Sequence, residues 1–197
     1  MKKKTSLDQR LAYLSLADFD YLSARILLLF GLAHTGFPKA AESFEKLFKL
    51  FLILEAKIGR NEELTVEDLK KYQHKLVTLF DKIKSMIPVK LDKSWRGYFL
   101  FLQETYHKRY PENWKSFNYE VDISKLDLCY LYLRSNIVQN FPLEEQERVK
   151  QFGGFISDGY SENIKIIIKR RTGKSLVEML FQDNDHIKKY DLSFIKL

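Results

Sequence analysis

Cysteine, proline and glycine are scarce in this chain: among 197 residues there are 1 Cys, 4 Pro and 8 Gly. The lone Cys129 excludes an intramolecular disulfide and any zinc site built on cysteines, which suits a reducing cytoplasm. With so few breakers the backbone is expected in long uninterrupted elements. Long apolar runs are missing too. The richest, Ile26 to Leu32 and Leu47 to Leu54, fall well short of the roughly 20 residues a membrane span needs, and Lys49 interrupts the second. The N-terminus MKKKTSLDQR is basic, but Asp18 and Asp20 break the segment from Leu11 to Leu22. No secretory leader is therefore expected, and the cytoplasm is the expected location. No phosphate loop, nucleophile elbow, metal-ligand cluster, internal repeat or low-complexity tract stands out, so neither a metal nor a cofactor is expected.

What is present is apolar and aromatic material in quantity. Hydrophobic residues make up 45% and charged residues 30%, with 15 Phe and 11 Tyr, the makeup of a soluble globular protein with large side chains to bury. The length suits one main domain. A net charge of +7 favours polyanions or an acidic partner, or simply keeps the chain soluble.

Apolar residues recur at helical spacing along most of the chain. In a first expected helix Phe19, Leu22, Ile26, Leu29 and Ala33 share a face, widened by Leu14, Tyr21 and Leu28. Asp18 and Arg25 border that stripe; solvated positions are the simpler reading, a neighbouring helix or a dimer partner the alternative. After a turn around His34, Thr35 and Gly36, a second helix is expected with Pro38 in its first turn and a stop at Gly59. Its seam is Ala40, Phe44, Leu47, Phe51, Leu54 and Ile58, and Glu42 with Lys46 and Glu45 with Lys49 have the favourable acid-first spacing of four. Thr65 with Asp68 resembles a capping pair for a third helix through Leu69, Tyr72, Leu76, Leu79, Phe80 and Ile83. Ser94 can cap a fourth, with Trp95, Phe99, Leu102 and Tyr106 on one face, which Pro111 ends. Residues 112–121 read as an ordered loop. Asp122 or Ser124 can open a fifth helix with Leu126, Tyr130, Leu133 and Ile137 inward, stopped by Pro142.

The expected fold is therefore all-α: an up-and-down bundle of about five helices over residues 1–141, with a helical extension, 142–197, packed on the same domain. That extension holds LEEQERVKQF, a Gly153-Gly154 break, the ambiguous run Ile164 to Ile168 and a short final helix capped by Ser175 and Glu178. Lys165, Lys169, Arg170, Arg171 and Lys174 form its basic run, which reads as a solvated face or a nucleic-acid patch.

Four short patterns, in order along the helices, carry a resemblance. An Asp-x-x-Tyr-Leu-x-x-Ala opening is approximated by Asp18 to Ala24. Ala40, Glu45, Lys46 and Lys49 match Ala-x-x-x-x-Glu-Lys-x-x-Lys. His74 and Leu76 match His-x-Leu, and Arg109-Tyr110-Pro111 matches Arg-Tyr-Pro. Together they resemble the HEPN family of small helical domains, over roughly residues 8 to 140. The resemblance implies a helical bundle that forms a homodimer, acts on nucleotide or RNA, and is often encoded beside a nucleotidyltransferase-like partner protein in toxin-antitoxin pairs.

Many members are ribonucleases with an Arg-x4-6-His motif on a late helix, in which the imidazole handles a proton. Here Arg134 is followed by Gln139 and Asn140, and an amide cannot exchange a proton at neutral pH. The expectation is a nucleotide- or RNA-binding module without nuclease activity, its phosphate site drawn from Arg134, Asn136, Gln139, Asn140, Arg109 and His74, with no catalytic residue assigned. A positive cluster, His107, Lys108 and Arg109, stands at a helix C-terminus, where the dipole alone favours cations. Arg134 and Asn136 facing only solvent is the simpler alternative. Two other functions stay open: a metal-independent ribonuclease toxin using His74 or His107, and a protein interaction module using the face of Glu45, Lys46 and Lys49.

Overall fold

A turn of only three residues separates the first two helices, and its chemistry explains how tightly they pair. In the computed structural model, which describes residues 6–29, 31–60, 62, 64–86, 93–109 and 122–152, α1 spans Leu7–Leu29 and α2 spans Ala33–Gly59. Reciprocal bonds between Ser6 and Gln9, at 2.9 and 3.2 Å, make a capping box that opens α1. At its end Gly31, with φ of +74°, lets the Leu32 amide reach the Leu27 carbonyl at 2.8 Å while its own amide reaches that of Leu28 at 3.0 Å. This pair of bonds is a Schellman stop, and it needs the left-handed conformation that glycine adopts without strain. α2 starts at Ala33, two residues after Gly31, so His34, Thr35 and Gly36 lie in its first turn instead of in the connection, and Pro38 lies inside the helix.

Five further helices complete the described fold: α3 Val66–Lys70, α4 Leu76–Ile83, α5 Lys93–His107, α6 Ile123–Gln139 and α7 Leu143–Phe152. The protein is an all-α helical bundle, with seven helices and no strand among the described residues. Thr65 and Asp68 form the expected capping box. The helix expected to run on from there is instead two helices, α3 and α4, because His74 takes a φ of +57° between them. Asp122 caps α6 through the Lys125 amide at 2.8 Å. Ser94 sits inside the first turn of α5, which begins at Lys93.

α2 is the axis of the molecule, packed on α1, α4, α5 and α6. Ala40, Phe44, Leu47, Phe48, Leu50, Phe51 and Leu54 are all buried, more of its circumference than one stripe. Against it Phe99 of α5 is fully enclosed, its ring 5.0 Å from Phe44, 5.1 Å from Phe48 and 4.7 Å from Phe80. Burying each such ring contributes about 1.5–3 kcal/mol, and the tilted and edge-on contacts add to it. The expected inward residues Leu126, Tyr130, Leu133 and Ile137 of α6 are all buried.

For α1 the inward face differs from the expected one. Phe19 and Leu29 are 47% and 44% exposed, while the expected Leu14, Tyr21, Leu22 and Leu28 are buried together with Arg10, Leu11, Ala17, Asp18, Ala24 and Arg25. Three charged residues, Arg10, Asp18 and Arg25, belong to the buried side, so ranking positions by hydrophobicity displaced its centre. α7, the described part of the extension, packs on α1 and α6. No described helix is long and apolar enough to cross a membrane. The loop at 112–121, the run at 164–168, the basic run from Lys165 to Lys174 and the helix expected after Ser175 lie outside the described residues.

Candidate functional site

Arg134 is turned into the bundle and is 2% exposed. Its Nε and Nη2 donate to both carboxylate oxygens of Asp18 at 2.7 and 2.8 Å, a bidentate pair joining α6 to α1. Two turns along, Arg25 Nε donates to both oxygens of Asp127 at 3.1 and 3.0 Å. Between the pairs the Tyr21 and Tyr130 rings stack with centroids 4.2 Å apart and planes within 5°. Tyr130 donates to Asp18 at 2.8 Å and Tyr21 donates to Asp127. Burial, reinforced by the Asp127 charge, pushes the Tyr21 phenol well above its ordinary pKa, which keeps its proton in place to donate.

Both halves of this clasp are spelled alike: Asp18-x-x-Tyr21-Leu22-x-x-Arg25 and Asp127-x-x-Tyr130-Leu131-x-x-Arg134. Reading the two helices antiparallel places each Asp opposite the other's Arg. An eight-residue motif is thus repeated where no repeat was expected, and Asp18 and Arg25 face a neighbouring helix instead of solvent. The arginine expected to meet phosphate is an internal structural group.

The other α6 candidates do not gather around it. Asn136 donates to the Tyr132 carbonyl at 2.8 Å and Asn140 donates to the Asn136 carbonyl at 2.7 Å, both back onto their own helix. Gln139 and Asn140 are exposed at its C-terminal end.

A second polar cluster forms where α2, the α3–α4 break and the end of α5 meet. Glu45 accepts from the His74 amide at 3.1 Å and lies 3.2 Å from His74 Nδ1; this grip from α2 holds His74 in its left-handed conformation. His74 Nε2 is 3.2 Å from the Tyr106 hydroxyl, and the two rings stack at 4.2 Å. Over the same Tyr106 ring lies the Arg109 guanidinium, 3.6 Å from its centroid. Lys49 pairs with Glu45 at 2.5 Å as the spacing predicted. Lys46 instead reaches across to Asp20 of α1, and Glu42 pairs with Lys39 at 2.7 Å. The face of Glu45, Lys46 and Lys49 is thus engaged with the protein's own residues.

Next to this cluster is a cleft of about 450 Å³ between the start of α2 and the end of α5. α2 lines it with His34, Thr35, Pro38, Lys39 and Glu42, and the end of α5 with Lys108 and Arg109. The wall therefore carries three fixed cations, one imidazole and one carboxylate. No side chain caps α2, whose N-cap is Leu32, so the positive end of a 27-residue helix also opens on this side. Lys39 is held at 2.7 Å by Glu42 and at 3.3 Å by Asp20, leaving one of its three donors for a ligand. Such a wall suits an anion.

Of the expected phosphate residues only Arg109 lines this cleft, with His74 behind it through Tyr106. His34, Thr35 and Lys39 were not candidates in the sequence, because nothing local signals that the α1–α2 turn abuts the end of α5. Among the described residues no group of three or more His, Cys, Asp or Glu side chains is placed to hold a metal, and Cys129 is buried. Comparison of the chain with models of known protein families, with characterised proteins and with solved structures finds no match.

Proposed function

We propose that this chain is a HEPN-like module that binds nucleotide or RNA through phosphate without cutting it. The observation that carries this reading is the cleft whose wall brings Lys39, Lys108 and Arg109 together beside the N-terminus of α2. Phosphate oxygens accept from several cationic donors at once, and a helix N-terminus adds its partial positive charge. The net charge of +7 supports the same class of ligand. A homodimer and a nucleotidyltransferase-like partner belong to the proposal through the sequence resemblance.

The test is binding of short single-stranded RNA by fluorescence anisotropy, at several salt concentrations, for the wild type and for Lys108→Ala/Arg109→Ala. The expected result is at least about a tenfold loss in the double variant, with a shallower salt dependence, since two fewer phosphate contacts release fewer counterions. Unchanged affinity and an unchanged salt slope would remove the cleft from the reading. A second reading, a metal-independent ribonuclease, is favoured by the Glu45, His74 and Tyr106 chain beneath Arg109, which brings an oriented imidazole near a cation. Intact RNA after prolonged incubation with the wild type in chelator would dispose of it; cleavage lost in His74→Ala would establish it.

A further inference from the structure

We infer that the outward face of α1 docks a second copy of this chain, α1 against α1 in antiparallel register, with Leu16 opposite the partner's Phe19. The inference supplies a surface for the homodimer of the proposed function and is independent of the phosphate cleft.

α1 is amphipathic in an inverted sense. Its charged residues Arg10, Asp18 and Arg25 are buried, committed to Glu145 of α7 and to the clasp with α6. Between residues 12 and 29 its exposed positions are Ala12, Ser15, Leu16, Phe19 and Leu29, none of them charged. Leu16 and Phe19 are 55% and 47% exposed in the middle of this line. Ser23, next along it, donates its hydroxyl to the Phe19 carbonyl of its own helix at 2.8 Å, which satisfies that donor within the chain. Half-buried Asp20 is drawn aside to α2 by Lys39 and Lys46. Apolar side chains scattered singly over a surface are ordinary, whereas a continuous uncharged line along a helix marks an interaction site.

The spacing says what covers it. Ala12, Leu16, Phe19 and Ser23 follow one another at four, three and four residues, in the order small, large, large, small. That order reads the same from either end. A twofold interface brings the same patch of both subunits together, so the patch must be complementary to itself. Turned about a twofold axis between residues 17 and 18, Leu16 meets the partner's Phe19 and Ala12 meets the partner's Ser23. The bulky pairs fill the centre, the small pairs on either side let the helices approach, and no charge is brought into the seam. An unrelated partner would impose no such symmetry on α1.

The area requires α6 as well. From Ala12 to Leu29 the line is about 27 Å long and about 10–12 Å wide, which covers about 600 Å² over two copies. A specific interface needs about 1,000 Å² or more. The clasp supplies the remainder. Its repeated motif lies on two antiparallel helices, so the axis relating them is normal to their layer and their outward sides point the same way. Leu128 holds the place in α6 that Phe19 holds in α1, and Tyr132 the place of Ser23; both are half-buried. Two helices from each copy bring the seam to about 1,200 Å².

The experiment uses the full chain, with sedimentation equilibrium of the wild type and Phe19→Glu and cross-linking of cysteine variants by a short bismaleimide. The wild type is expected to dimerise, and Phe19→Glu to weaken the dimer at least about tenfold while keeping its helical circular dichroism. Ala12→Cys/Ser23→Cys is expected to cross-link between copies, and neither single variant is, because each position lies about 16 Å along the seam from its own counterpart. The same distance separates the two positions within one chain, and Cys129 is buried out of reach. Should Phe19→Glu fail to fold, the cross-linking pattern decides alone. A wild-type dimer that a folded Phe19→Glu leaves intact, or cross-links in a single variant but not in the double, overturns the inference and leaves the homodimer standing on another surface. A wild type that stays monomeric at high micromolar concentration removes this interface and the homodimer together, and leaves the phosphate cleft to its own test.

Discussion

At the scale of single residues, the decisive finding is that Arg134 serves the fold. It and Asp18 are 2% and 3% exposed and bonded through both carboxylate oxygens. Removing the cation strands a buried carboxylate, whose cost exceeds that of the lost bonds themselves. Arg134→Ala is therefore expected to lower stability by about 3–5 kcal/mol in urea unfolding. Replacing the pair together, Asp18→Leu with Arg134→Met, is expected to cost far less, because no unpaired charge remains. A loss below about 1 kcal/mol in Arg134→Ala would mean that water reaches the site.

Among the elements, the α1–α2 hairpin depends on two glycines for different reasons, and a third serves as contrast. Gly31 supplies the left-handed φ of the Schellman stop. At Gly36 an added Cβ would lie 2.7 and 2.8 Å from two Leu28 side-chain carbons and 3.2 Å from its backbone nitrogen, so α2 approaches α1 as closely as it does because no side chain intervenes. Gly97, exposed within α5, has nothing within 4 Å of such a Cβ. Gly36→Ala is expected to destabilise by about 1–3 kcal/mol through overpacking. Gly97→Ala is expected to stabilise by about 0.5–1 kcal/mol through backbone entropy. Thermal melts of the two variants should shift in opposite directions; equal shifts would refute the close-approach account.

For the molecule as a whole, one carboxylate ties α7 to the hairpin. Glu145 is buried, accepts from Arg10 of α1, and accepts from Lys57 of α2 at 2.6 Å. Burial pushes its pKa up, but the hydrogen bonds and charges of Lys57 and Arg10 outweigh that and hold it below the ordinary glutamate value. A carboxylate depressed in the folded state contributes stability that is complete above its unfolded pKa and is lost as pH falls through its folded one. The wild type should therefore exceed Glu145→Gln in stability at neutral pH, with the gap closing as pH falls below the ordinary carboxylate range. A gap that persists unchanged into strong acid would show that the clasp works by packing alone.

Much of this architecture was legible in the residues. Periodicity gave the helical class and most of the inward residues of α5 and α6, and the capping chemistry of Thr65, Asp68 and Asp122 located two helix starts. Other features read poorly because their causes are distant in sequence. The α3–α4 break arises from Glu45 gripping His74 across 29 positions. Asp18 and Arg25 looked like surface residues, since a buried charge is intelligible only when its partner is known, although the repeated Asp-x-x-Tyr-Leu-x-x-Arg was there to be noticed. The sequence by itself determined that this protein is a helical bundle, because hydrophobic spacing and end-capping are local properties of the chain. Only the tertiary structure decided that Arg134 is inside and that the start of α2 and the end of α5 share a cationic cleft, because both facts depend on which helices pack together.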